Sequence, residues 1–550
     1  MIGNIKRAAL ALVLGAVVGS SSALGALGYL HTQNQDIVDA QGNKVRLRGV
    51  SLGNWTLPEG YMWQFGDQGD RPRRIEQVVT ELIGREKGDQ FWKEYRKNYI
   101  TQADINRIAE LGFNSVRPSL DARLFLSEGT NPVYQAEGFQ LMDSLIAWCG
   151  KKGIYVILDL HAAPGGQTGR NIDDSANDQP ELFMDKKYQD RTVDLWVKIA
   201  TRYKDEPAVA GYDLLNEPLP SGAPIDYRPR LEPLYKRITQ AIREVDKKHM
   251  IILEGANWAN DWSVFSTRFD DNSVYQFHYY CWDNPVVLKS IAQYVAKRDR
   301  LNAPVWVGET GESQDAIYWA TTEYFEQNNI GWSLWPYKKI NSGNCLYTAR
   351  APENWDAITG YTRGEAKPSA EVAEKAFDEL LENIQFKNCT FHPDIVQALL
   401  HLVPGRIEAE NYGFLGLNQS YFVKATNNAQ FYRESEPLPI VPVPGNGRRG
   451  GYGIQLSADE WTAYNFQSVA AQRCNVTLRV KAMAVPGVLQ VSIGEQSQSV
   501  SVTNTDWAEI ALNAVSLPQG AGNLKYVVKQ GTVEVDWAEF KTATENGAKK

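Results

Sequence analysis

Residues 209–218 read VAGYDLLNEP. Most of the run is apolar and shows no polar alternation, as expected of a strand buried on both faces. It ends in Asn216 and Glu217, followed by Pro218. A glutamate behind buried leucines is costly unless it emerges at a strand end or meets a partner. Proline in turn helps to close the strand. The segment therefore reads as a wall strand that carries an amide and a carboxylate out at its C-terminal end.

Seven similar runs surround it: VRLRGVSL (45–52), FNSVRP (113–118), IYVILDLH (154–161), MIILEGAN (250–257), VYQFHYY (274–280), PVWVGETG (304–311) and IGWSLWPY (330–337). Helical patterns lie between them; Val193, Trp196, Val197 and Ala200 share one face, as do Leu288, Ile291 and Val295. Eight strands alternating with helices predict a (β/α)8 TIM barrel over residues 28–385. The rival is an open doubly wound sheet, but no glycine-rich phosphate loop follows the first strand. Residues 386–404 read as a linker with a short helix in PDIVQALLHL. Beyond it Val476, Leu478 and Val480 alternate with Thr477, Arg479 and Lys481, and Leu489, Val491 and Ile493 alternate likewise. Period two with Gly and Pro breaks predicts an all-β, jelly-roll-like sandwich over 405–543, with 544–550 a tail.

The chain has 550 residues and a net charge of −8, which gives no electrostatic footprint for nucleic acid. Most of its 16 Trp and 26 Tyr are expected in the core, but a surplus of such rings is also what sugar-binding surfaces need, because pyranose C–H faces pack on aromatic planes. At the N-terminus Lys6 and Arg7 precede an apolar run and then small residues, the layout of a signal peptide over 1–25. A secreted or periplasmic protein with no membrane attachment after cleavage is expected. An uncleaved anchor is the alternative, although the run is short for a span. Five scattered cysteines lack metal-ligand spacing and allow at most two disulfides.

Chemistry in such a barrel sits at the C-terminal strand ends. Those ends carry Asn54, Arg117, His161, Asn216 with Glu217, His278 with Tyr280, Glu309, and Trp335. Either glutamate alone reads best as half of a structural ion pair. Two across one cleft suit glycoside hydrolysis, one protonating the leaving oxygen and the other attacking the anomeric carbon. Arg117 and Tyr280 are placed to keep Glu309 ionised, and Asn216 to bond the neighbouring sugar hydroxyl.

SVRPS, LDLHAAPGG, LLNEP, FHYY, VGETG and WSLWPY, in this order, resemble glycoside hydrolase family 5, a group of retaining (β/α)8 enzymes. The resemblance spans roughly residues 30–385 and departs in reading SVRPS where VRIP is commoner. It implies Glu217 as acid/base, Glu309 as nucleophile, and Asn54, Arg117, His161, Asn216, His278, Tyr280 and Trp335 as substrate-binding residues, with no cofactor for catalysis. LRGVSLGNW and LDLHAAPGGQTG are closest to the β-glucan branch; mannan, xylan and glycolipid glycans are the other substrates of the family. Trp63, Trp258, Trp262, Trp282 and Trp335 are candidate platforms. A glycan-binding protein on a barrel that has lost activity is the alternative from another class. A monomer is expected.

GRIEAENYG (405–413) and GTVEVDWAEF (531–540) resemble the opening and closing strands of carbohydrate-binding modules of families 6 and 35. That likeness implies a structural calcium held by Glu408, Glu410 and Asp536; oxygen donors suit such a cation. Surface-facing acids on edge strands are the alternative. Trp461, Tyr464 and Trp507 are the candidate sugar-stacking rings, and Trp507 also reads as core.

Overall fold

The computed structural model describes residues 27–220, 225–282, 288–444 and 451–543. The expected signal peptide and tail lie outside them. All eight expected strands form: β1 (Arg48–Leu52), β2 (Ser115–Asp121), β3 (Tyr155–Ala162), β4 (Val209–Asp213), β5 (Met250–Glu254), β6 (Ser273–Tyr279), β7 (Val305–Gly311) and β8 (Gly331–Trp335). They pair in sequence order, in parallel, and β8 closes on β1. β4 ends at Asp213, earlier than its sequence suggests. Leu214 and Asn216 still donate backbone hydrogen bonds to Ile252 and Leu160 of the neighbouring strands, so LLNEP peels away from the wall gradually.

Side-chain alternation sorts the barrel interior into layers. On β3, Ile157 belongs to an apolar floor, Asp159 to a charged middle layer and His161 to the mouth. On β6 the same step of two gives Val274, Gln276 and His278. The floor is completed by Leu30 and Ile37, brought in by the hairpin His31–Gln33/Asp36–Val38. Burial at the bottom thus stabilises a barrel whose upper half is polar.

The β-rich region folds into two mainly antiparallel sheets of six and seven strands among the described residues. Val476, Leu478, Val480, Leu489, Val491 and Ile493 all face the core, as their alternation predicts. Residues 386–404 are folded and packed. Thr390–Phe391 pairs with Tyr347–Ala349, the helix Pro393–Leu399 packs on the helix Asp315–Gln327, and Leu402–Val403 joins a sandwich sheet. Sandwich and barrel meet along Asp315–Gln327, where Asn411 Nδ2 donates to the Ala316 carbonyl and Phe414 stacks on Tyr324. The helix expected to include Leu288 and Ile291 begins only at Ala292. No disulfide joins the cysteines, and no described helix is long and apolar enough to cross a membrane.

Candidate active site

Arg117 is the hub of the middle layer. Its Nη1 donates to Glu309 Oε1 at 2.7 Å, and its Nη2 to Asn216 Oδ1 and Glu254 Oε1, both at 2.9 Å. Its Nε donates to Asp213 Oδ2 at 2.9 Å, and Asp159 Oδ1 lies 3.3 Å from Nη2. One guanidinium cannot neutralise so many enclosed carboxylates. Burial pushes Asp213 well above the carboxylate range; Arg117 opposes this, and Glu254 and Asp159 add to it. Gln276 Nε2 supplies further hydrogen bonds to Asp213 and Glu254.

Above this layer stand the two glutamates. Burial raises Glu309, but the charges of His278, Arg117 and His161 and the Tyr280 hydroxyl, which donates at 2.8 Å, hold it below its ordinary value. For Glu217 burial wins, and its carboxyl is raised despite His278. His278 Nδ1 lies 2.6 Å from Glu217 Oε1 and 3.4 Å from Glu309 Oε2. Burial lowers the His278 pKa, yet Glu309, Glu254 and Glu217 together raise it well above the usual histidine value. A carboxylate oxygen of Glu217, one of Glu309 and a His278 nitrogen all lie within 4.8 Å of one another. Two carboxyls side by side, one pushed up and one down, form the pattern of an acid paired with a charged partner.

Glu217 adopts a φ of +45°, a region costly for a residue with a side chain. Its backbone N–H donates to Glu254 Oε2 at 2.6 Å, which holds that turn. His161 Nδ1 lies 2.7 Å from Asp159, and its Nε2 receives Asn216 Nδ2 at 3.1 Å. Trp335 stacks flat on His161, centroids 5.1 Å apart, and donates from Nε1 to the Tyr61 hydroxyl.

The structure thus gathers Arg117, His161, Asn216, Glu217, His278, Tyr280, Glu309 and Trp335. It does not bring Asn54 to them. That amide is fully buried, accepting from Trp63 Nε1 and donating to the Tyr99 hydroxyl, which leaves no surface for a sugar. Trp63 itself is core, ringed by Phe65, Phe91, Trp92, Tyr95 and Trp355, and Trp262 is also core. Trp258 is half-buried. Trp282 stays exposed (65%) and stacks on Tyr280 with centroids 4.6 Å apart.

Sequence reading missed Asp159, Asp213, Glu254 and Gln276, and also Glu59. Glu59, in LPEG beyond β1, is 2% exposed, and its Oε1 has no hydrogen-bond partner among the described residues. Burial, then Glu309, Glu312 and Glu217, push its carboxyl well up. The available signal was the step of two from His161 and His278 back to Asp159 and Gln276.

In the sandwich, Glu408, Glu410 and Asp536 are all buried. Burial, then Glu408 and finally Asp536, push Glu410 well above its usual range, and its Oε2 accepts no hydrogen bond among the described residues. Arg479 Nη1 donates to Asp536 Oδ2. An excess of buried negative charge with an unsatisfied oxygen fits a hard cation, although the oxygens of these three do not all lie within 4.8 Å of one another. Of the candidate sugar-stacking rings, Tyr464 is buried, whereas Trp461, with Lys525 Nζ 3.9 Å from its ring centroid, and Trp507, with Arg479 and Lys481 against its ring, are half-buried.

A closed parallel barrel with two facing glutamates at its strand ends defines a glycoside-hydrolase type of site. The model of the cellulase family (glycosyl hydrolase family 5) matches residues 75–341. A β-xylosidase of Phanerodontia chrysosporium is 31% identical over 358 residues, covering 59% of this chain and 74% of that protein. A probable glucan 1,3-β-glucosidase A of Aspergillus fumigatus is 27% identical, covering 48% of this chain and 64% of that protein, just under two thirds of its length. The crystal structure of an endogalactoceramidase has 15% identity and a TM-score of 0.44, covering 93% of this chain and 100% of that one. The chain belongs to glycosyl hydrolase family 5 and is an O-glycosyl hydrolase.

Proposed function

We propose that this protein is a secreted, retaining β-glycosidase that cleaves a β-linked glucan by double displacement. Glu217 protonates the glycosidic oxygen while Glu309 attacks the anomeric carbon, forming a glycosyl-enzyme and releasing the leaving group. Glu217 then takes a proton from water, which attacks the same carbon and frees Glu309. Asn216, clamped between Arg117 and His161, is placed to bond the hydroxyl beside the reacting carbon. The observation that carries this reading is the opposite tuning of the neighbouring carboxyls, Glu217 raised and Glu309 lowered. Secretion rests on the charged, apolar and small-residue order of the N-terminus.

The likeness to a β-xylosidase favours a second reading, the same mechanism on a β-xyloside. Glucose and xylose differ by one hydroxymethyl group, which is worth only a modest discrimination in a pocket. Reducing-sugar release from laminarin, carboxymethylcellulose, mannan and xylan, by wild type and Glu309→Ala, decides between them. Release by wild type alone, highest on a glucan, is expected; highest release on xylan would support the second reading. No release from any of them, together with binding to one, would make the protein a glycan-binding one. In the sandwich, Glu408, Glu410 and Asp536 would hold a calcium ion, with a structural role only.

A further inference from the structure

Beyond β3 the chain runs HAAPGGQTG (161–169), and Gln167 lies fully buried in that loop. Its Nε2 donates to two backbone carbonyls, that of His161 at 2.6 Å and that of Asn216 at 2.9 Å, while its Oε1 accepts the Ala163 N–H at 3.0 Å. The ladder between β3 and β4 ends at the pair Asp159–Asp213. Past that point the Gln167 amide joins the two chains again, at the same two residues whose side chains meet as Asn216 Nδ2 and His161 Nε2. The peptide unit between Asn216 and Glu217 is thereby held at both ends. Gln167 takes its carbonyl, and Glu254 Oε2 takes its N–H at 2.6 Å. A peptide unit is planar, so holding both ends fixes its orientation, and with it the costly φ of +45° at Glu217.

Gln167 is itself firmly held. Gly166 before it has a φ of +76°, and a Cβ there would come 2.4 Å from Ser175 Cβ, so the close turn requires glycine. Asp173 Oδ2 accepts the N–H groups of Thr168 at 2.7 Å and Gly169 at 3.1 Å, and the Gly166 carbonyl accepts the Leu182 N–H at 3.1 Å. The Gln167 carbonyl accepts the Leu219 N–H at 3.2 Å, on the far side of Glu217. Without the Gln167 amide, Asn216 keeps its bonds to Arg117, His161 and Leu160. The peptide that leads into Glu217 loses its carbonyl partner. The turn of the acid therefore depends on this side chain more than Asn216 does.

We propose that Gln167 is a positioning residue for Glu217: its amide, together with Glu254, holds the peptide unit that aims the acid/base carboxyl at the glycosidic oxygen. This rests on the glycosidase reading above for what Glu217 does, but not for how its turn is held.

Two measurements test it separately. The first needs no turnover. His278 Nδ1 lies 2.6 Å from Glu217 Oε1, so its ring senses where that carboxyl stands. In protein carrying isotope-labelled histidine, the NMR signal lost in His278→Asn identifies His278. Gln167→Leu is expected to shift that signal in the direction in which Glu217→Gln shifts it, and to leave the signals of His249 and His401 in place. An unmoved His278 signal would overturn the proposal. The second compares kcat/KM on laminaritriose and on 2,4-dinitrophenyl β-laminaribioside, which share two sugars and differ in the leaving group. Glucose leaves with a proton from the acid, whereas dinitrophenolate leaves without one. Gln167→Leu is expected to lower kcat/KM on laminaritriose about thirty- to a hundredfold, the size of a small misplacement of a reacting group, and on the aryl substrate by less than about threefold. Equal losses on the two substrates would contradict it, because general damage to the site spares neither. Gln167→Glu keeps the shape and the acceptor but, ionised, donates to neither carbonyl; it is expected to show the same split and carries the test if Gln167→Leu folds poorly. A wild type inactive on both substrates would count against the glucan reading and leave the histidine signal to decide the role of Gln167.

Discussion

Glu254 Oε2 accepts the backbone N–H of Glu217 at 2.6 Å, while Glu254 Oε1 accepts Arg117 Nη2 at 2.9 Å. One buried carboxylate thus pins the left-handed turn that presents the proposed acid and joins it to the guanidinium that charges the proposed nucleophile. Glu254→Ala should therefore lower kcat about a hundredfold, as small misplacements at reacting groups do. Glu254→Gln, whose amide oxygen still accepts the N–H, should lose less. Steady-state kinetics, with circular dichroism to verify folding, check both. Unchanged kcat in Glu254→Ala would remove Glu254 from the machinery.

His278 faces both glutamates and lowers both of them. In the pH profile of kcat/KM the acid limb reports the ionisation of Glu309 and the alkaline limb the loss of the Glu217 proton. Without the imidazolium each carboxyl binds its proton more tightly. In His278→Asn both limbs should accordingly move to higher pH, by roughly one unit, the usual size of such an effect. A profile that moves down, or on one side only, would contradict this.

These arrangements were unequally legible in the sequence. The strands were readable because parallel strands buried on both faces are apolar throughout, and VAGYDLLNEP and PVWVGETG announce their carboxylates by contrast. The middle layer was not, because Asp159, Asp213 and Gln276 look like ordinary breaks in an apolar run until the barrel closes around Arg117. β5 was the one strand whose end seemed empty, and its last residue, Glu254, holds the acid. Asn54 misled for the opposite reason: a strand-end amide looks the same whether it faces a sugar or, as here, a tyrosine and a tryptophan of the wall. The hydrogen bond from the Leu288 N–H to the Tyr432 carbonyl joins residues far apart in the chain and left no local pattern.

The barrel–sandwich seam should respond to pH. Glu323 is buried there, bonded by Trp319, Gln327 and Asn465, and burial, opposed by Arg433, pushes its carboxyl up to about 8. A carboxyl raised on folding contributes stability that is complete below its ordinary unfolded pKa and is lost as pH rises through about 8. Wild type should then lose melting temperature between pH 6 and pH 9, and Glu323→Gln, which cannot ionise, should lose several degrees less. Parallel melting curves for the two proteins across that range would refute the assignment.

Calcium at the sandwich acids makes a further test. Scanning calorimetry should show a higher melting temperature with calcium than with EDTA, by about 2.7 kcal/mol of added stability at a hundredfold excess over Kd. Glu410→Gln should remove most of that difference. Identical curves with and without calcium would mean that the cluster is compensated by Arg479 and its retained proton alone.

The central claim is that Glu217 and Glu309 act in two displacements on one carbon. Proton NMR of the first product, recorded before mutarotation, tests it most directly. A β-anomer formed first from a β-linked substrate is the predicted result, because two inversions restore the configuration. An α-anomer formed first would mean a single displacement by water, and would contradict the assignment of Glu309 as the nucleophile.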